Sequence, residues 1–315
     1  MENDKKRPLK YVITGAGGTG GILGAHLAGA GKDVTLIARG KHLEAIRTHG
    51  LTVEHLWDQT SNQISVNACT MDEYIETPDV ILVCVKGYSL ADTVPFIRRV
   101  AGEHTIVIPV LNIYGTGEKL QEQLPGILVT DGCIYVSAYI REPGILAQHS
   151  DILKLIYGVR GGIYTEEQIP VFEQIQSDFQ ESGIQGILSE NIQKDCMKKF
   201  SYISPVGGAS LFCNATAGDF GREGEPRQML VALMEEVLSL ADAMGISIDR
   251  ESITKNLDIL AHLPKDATTS MQRDVLAGRQ SEIDGLIFEV VRMGHKYHVP
   301  VPAYEKVAEK YGFVK

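Results

Sequence analysis

The stretch Tyr11–Gly21, YVITGAGGTGG, decides the reading of the fold. Tyr11 to Thr14 form a short strand-like run. It enters a turn with glycine at 15, 17 and 20, and an apolar helical pattern, GGILGAHLAGAG, follows from Gly20. Each glycine has its own physical reason. Gly15 permits the tight turn, Gly17 lets the backbone approach a pyrophosphate, and Gly20 lets the helix lie close on the strand. The helix N-terminus presents unpaired N–H groups and a partial positive charge to phosphates. Gly15, Ala16, Gly17, Gly18, Thr19 and Gly20 are therefore read as a dinucleotide-phosphate loop. Glycine spacing alone is a weak sign, and the strand–turn–helix setting gives it meaning.

The next strand, DVTLIARG over 33–40, delivers a cation, Arg39, at its far end. In this kind of unit the second strand ends beside the adenosine ribose. An acidic side chain there selects a free 2′-hydroxyl, and an arginine pairs with a 2′-phosphate. No acidic residue sits at that tip, so the cofactor read from the residues is NADP(H), with a loop-starting surface arginine as the plainer alternative. VILVCVKGYS, 80–89, repeats the pattern, with Lys86 closing an apolar run where open α/β sheets bind ligands. Lys86 is read as a second cofactor contact, against a merely solvated strand-end lysine.

Outward from this loop, the first part of the chain alternates apolar runs and helical patterns. Runs of continuous apolar character fit strands covered on both faces. TEEQIPVFEQIQSDFQESG, 165–183, reads as an amphipathic helix with Thr165 as its cap. Beyond about residue 190 long helical patterns dominate. The expectation is an α/β, Rossmann-type doubly wound domain over 1–190 and an all-helical domain over 191–315.

Composition bounds the partners. The 315 residues are 44% hydrophobic and 22% charged, enough to bury a core, and the formal net charge is -10. That charge gives no electrostatic support for a nucleic-acid or anionic-membrane partner. The five cysteines form no metal-like or disulfide-like spacing, and MENDKKRPLKYVITG holds no apolar signal core. A cytoplasmic location is expected. His295 and His298 lie three apart on a helical pattern with no third ligand nearby, so no metal site is assigned.

Several separated motifs together resemble the ketopantoate reductase (2-dehydropantoate 2-reductase) family. They are GAGGTGG, LIAR, CVKGYS, LNIYGTGE, MKKFSYISPVGG and TTSMQRDVLAGRQSEIDGL. The resemblance spans nearly the whole chain. It implies a Rossmann-type domain followed by a helical one, with the active site in the cleft between them, and NADPH-dependent reduction of ketopantoate to (R)-pantoate on the route to pantothenate and coenzyme A. It also implies roles. Lys199 matches the active-site lysine, and Asn112 an asparagine near nicotinamide and substrate. Ser270 matches a serine on the substrate carboxylate, and Glu282 a glutamate that meets the cofactor. Ala138 matches a backbone contact to the cofactor.

The chemistry suits these residue types. Hydride transfer to a ketone builds negative charge on its oxygen, which a positioned ammonium can stabilise and protonate. By themselves the residues also allow plainer roles: a solvated Lys199, a turn-forming Asn112, Ser270 in a helix cap, and Glu282 in a capping arrangement or an exposed ion pair. Ile203 and Ala267 stand where many relatives carry asparagine, which leaves a different small 2-oxo acid open as substrate. A non-catalytic NADP(H) sensor is the alternative from another class. A homodimer stays open.

Overall fold

The computed structural model describes residues 7–313, so the first six residues of the N-terminal segment read above lie outside the described residues. The chain divides into two compact units. One comprises Met1–Leu111 and Gly115–Ile192, the other Asn112–Tyr114 and Gln193–Lys315.

The first unit begins with β1 (Lys10–Thr14), α1 (Gly18–Gly29), β2 (Asp33–Ile37), α2 (Gly40–His49), β3 (Leu51–His55), β4 (Thr60–Ile64) and β5 (Asn67–Cys69). It continues through β6 (Val80–Val83), α3 (Leu90–Val100), β7 (Ile106–Pro109), α4 (Thr116–Gln123), β8 (Leu128–Val129), β9 (Asp131–Tyr135) and β10 (Ala138–Glu142). It closes with β11 (Ile145–Gln148), β12 (Lys154–Gly158), α5 (Ile169–Glu181) and β13 (Gln185–Leu188). Six strands form one parallel sheet in the order β5-β2-β1-β6-β7-β8. The order reverses between β1 and β6, the switch point at which such sheets bind ligands. β6 and β7 are wholly buried, which is why VILV and IVIP read as unbroken apolar runs. At the core, Tyr11 Oη donates to Asp178 Oδ2 at 2.7 Å and Lys32 Nζ donates to Oδ1 at 2.7 Å, tying β1 to α5.

Two smaller sheets, β10-β11-β3-β4 and β13-β12-β9, complete the unit. The run 127–140 is divided among all three sheets, as β8, β9 and β10. One expectation is corrected: the helix at 165–183 starts at Ile169, not at Thr165. Pro170 has no N–H to give and belongs in a first turn, so the helix opens just before it. Thr165 instead closes a preceding turn, its carbonyl accepting from Gln168 N–H at 3.0 Å.

The second unit is helical: α6 (Ile192–Cys213), α7 (Ala217–Phe220), α8 (Glu225–Ala243), α9 (Glu251–Ala261), α10 (Ser270–Leu276), a π-helical turn (Asp284–Phe288), α11 (Glu289–Tyr297) and α12 (Pro302–Lys310). Its core gathers Met197, Phe200, Leu233, Ile287, Val290 and Tyr304. Two glycines inside α6 make that packing fit. A Cβ on Gly207 would lie 2.8 Å from Met271 Cε, and one on Gly208 would lie 3.0 Å from Ile287 Cδ1. Mid-helix glycine costs about 1 kcal/mol against alanine, and here it is offset by the close approach of α10 and the π turn. That turn has a dedicated hydroxyl. Ser204 Oγ donates to the Leu286 carbonyl at 2.6 Å and sits 2.6 Å from Tyr304 Oη. Ser204 gives its only proton to the carbonyl, so the tyrosine is the donor in the second bond. No helix among the described residues is long and apolar enough to cross a membrane.

Candidate active site

The glycine turn is built as its spacing requires. Gly15 has φ +96°, and a Cβ there would press on Cys84 and Val85 at 3.0–3.1 Å. Gly18 lies against β10, where a Cβ would strike the Ala138 carbonyl, 2.6 Å from its carbon. A Cβ on Gly20 would meet the Gly15 carbonyl and lie 2.9 Å from Cys84 Cβ, so this glycine sets the closeness of α1 to the sheet. Gly17 differs: nothing lies within 4 Å of the place its Cβ would take. Ala16 is buried and Thr19 half-buried beside it. The turn thus has a tightly packed back and an open front at Gly17. This is the form of a cradle that a phosphate group fits.

Both expected cations stand beyond the strand tips rather than on them. β1 ends at Thr14, paired with Ile37 of β2 and Val83 of β6, and Gly15 then turns away. Neither neighbour has a β1 partner past that point. Arg39 therefore lies two residues after β2, extended, exposed and just ahead of α2. Lys86 lies three residues after β6, exposed, ahead of a 3₁₀ turn at Gly87–Ser89.

The sequence reading passed over His42, on α2. Its Nε2 lies 2.8 Å from the Ala16 carbonyl, and its Nδ1 accepts the Gly144 N–H at 2.9 Å. A lone histidine in a helical pattern gives no sequence signal for such a role.

In the second unit, Lys199 is 6% exposed, and its ammonium donates to Asn112 Oδ1 at 2.7 Å. Lys198 beside it is exposed, 3.6 Å from Asp195. Asn112 reaches Lys199 because Asn112–Tyr114 belong to this unit. Ile113 seats on Gly285 of the π turn, where a Cβ would lie 2.7 Å from Ile113 Cγ1, and the Tyr114 ring stands 6.1 Å from that of Phe200. Glu282 is buried at 6% exposure, one turn ahead, and its carbonyl accepts the Leu286 N–H at 3.0 Å. Ser270 is the exposed first residue of α10. Thr269 is the cap, its hydroxyl accepting the Gln272 N–H at 3.1 Å. Ile203, one turn after Lys199, is half-buried against the unit's core, and the Ala267 carbonyl accepts from Ala217 N–H at 3.0 Å. Lys199 and Asn112, each singled out in the sequence, are hydrogen-bonded to one another, but Ser204 and Gly285, which hold the π turn and Ile113, carried no signal of their own.

A parallel sheet with a glycine turn open at Gly17, joined in one chain to a helical unit bearing a buried lysine, defines a class of two-unit Rossmann-type oxidoreductases. Two family descriptions match within it: Ketopantoate reductase PanE/ApbA over residues 11–160, and its C-terminal counterpart over 191–313. The chain belongs to the ketopantoate reductase family. It is 27% identical over 300 residues to a 2-dehydropantoate 2-reductase of Pyrococcus horikoshii, covering 93% of each. The crystal structure of a 2-dehydropantoate 2-reductase from Porphyromonas gingivalis W83 matches with a TM-score of 0.79 at 28% identity, over 97% of this chain and 99% of that one. A D-mandelate dehydrogenase solved with NADH and anilino(oxo)acetate shares the fold, with a TM-score of 0.85 at 20% identity over 96% of each chain.

Proposed function

We propose that the chain is an NADPH-dependent reductase of a small 2-oxo acid, with ketopantoate the first substrate to test. The observation that carries this reading is the buried Lys199 ammonium held by Asn112 Oδ1 at 2.7 Å. A reduced nicotinamide supplies the hydride when bound. Gly15 to Gly20 would receive its pyrophosphate and Arg39 its 2′-phosphate, with Lys86, Ala138 and Glu282 as further contacts. Lys199 stabilises the charge growing on the ketone oxygen and gives that oxygen its proton. Asn112 orients the ammonium and keeps its amide N–H donors for substrate or cofactor. Ser270 offers a hydroxyl to the carboxylate. The five free cysteines accord with a cytoplasmic enzyme.

Lys199→Ala should lower turnover about 10²- to 10⁴-fold while NADPH binding stays near wild type. Turnover like that of the wild type would remove the lysine from the mechanism. A second substrate is favoured by one observation: Ile203, one helical turn from Lys199, offers no hydrogen bond to a substrate hydroxyl. A panel of 2-oxo acids followed by NADPH absorbance decides between ketopantoate and an apolar relative. Consumption with none of them would favour a cofactor sensor.

A further inference from the structure

We infer that His42 is a positioning residue of the dinucleotide site, a role that rests on the cofactor reading above. Gly144 N–H points at Nδ1, so that nitrogen accepts and the ring proton must sit on Nε2. The Nε2–H then donates to the Ala16 carbonyl at 2.8 Å. The tautomer is set by a firm partner. Gly144 has φ +81°, a Cβ there would lie 2.9 Å from Ala45 Cβ on α2, and its carbonyl accepts Thr52 N–H at 2.9 Å. The β10–β11 turn therefore presents one N–H in one place, and the imidazole relays that constraint to the glycine turn.

The consequence follows from peptide geometry. The Ala16 carbonyl and the Gly17 N–H belong to one planar trans unit and point in opposite directions. A donor that fixes the carbonyl also fixes the N–H, aiming it away from His42. Hydrogen bonding at the carbonyl also polarises the peptide and makes that N–H a better donor to an anion. Gly17 is the glycine whose front is open. His42 thus orients one phosphate-binding N–H without touching the phosphate.

Two amide replacements separate the two bonds. His42→Gln extends an N–H donor to about the Nε2 position and can keep the Ala16 bond. His42→Asn places an acceptor near Nδ1 and keeps only the Gly144 bond. NADPH titration by fluorescence, with kcat at saturating NADPH and thermal midpoints alongside, reads the result. The expected pattern is a Kd about tenfold weaker in His42→Asn and His42→Ala, near-wild-type affinity in His42→Gln, and kcat unchanged in all three. Equal affinity in all variants, or loss in His42→Gln with retention in His42→Asn, overturns the inference. The Gln/Asn pair decides it even if His42→Ala fails to fold. A wild-type protein that binds neither NADPH nor NADH overturns the cofactor reading itself, and this role with it.

Discussion

Burying the Lys199 ammonium costs free energy unless polar partners meet it, and the Asn112 amide oxygen is one of them. Its bond to Asn112 has a second effect. Lysine has donors and no acceptor, so Asn112 must turn its oxygen inward and leave its NH₂ for another partner. The opposite design holds at Arg39, which is exposed and keeps its charge on a loop. If Arg39 reads a 2′-phosphate, Arg39→Asp should weaken NADPH by about 100-fold or more and leave NADH within a few-fold, as measured by paired titrations. Equal weakening of both cofactors would mean that the residue does not read the phosphate.

At the scale of elements, two neighbouring glycines predict opposite outcomes. Gly18 has the backbone of Ala138 against it, and backbone cannot give way as a flexible side chain can. Gly18→Val should cost 1–3 kcal/mol or more, seen as a lower denaturant midpoint. Gly17 has open space and an ordinary φ of -73°, so Gly17→Ala should leave stability within about 0.5 kcal/mol. The same methyl fills the cradle, and NADPH affinity should fall at least about tenfold. A Gly17→Ala variant that binds NADPH normally would argue that the phosphate lies elsewhere. These elements were legible because their physics is local: β1, the turn and α1 announce themselves within Tyr11–Gly29. Strands β3 to β5 and β11 were not: the β3–β4 hairpin is largely half-exposed or exposed and lacks an apolar run, and the parallel partners of β3 and β5, β11 and β2, are remote in sequence. The π turn was also hidden. Its stabilising hydroxyl, Ser204, lies about eighty residues upstream.

At the scale of the molecule, burial leaves a pH signature. His26, beside the Ser182 carbonyl at 2.9 Å, and His42 are both pushed below their ordinary value of 6.5, in each case by burial. The unfolded chain therefore takes up protons first on acidification. Stability contributed by the neutral rings is present above pH 6.5 and drains away as pH falls below it. Denaturant midpoints should decline from pH 7 toward pH 5, and His26→Gln with His42→Gln together should flatten that slope. An unchanged slope would place the acid sensitivity on carboxylates instead. The path of the second unit also limits how the chain can be divided. It draws Asn112–Tyr114 from the middle of the other unit, so no single cut separates the two. A fragment that starts at Gln193 would lose the side chain that seats on Gly285 and the Asn112 oxygen that accepts from Lys199. The halves are not interchangeable cassettes: recombination between relatives must carry the three-residue excursion with the helices, or it delivers a helical half with a hole beside its buried Lys199.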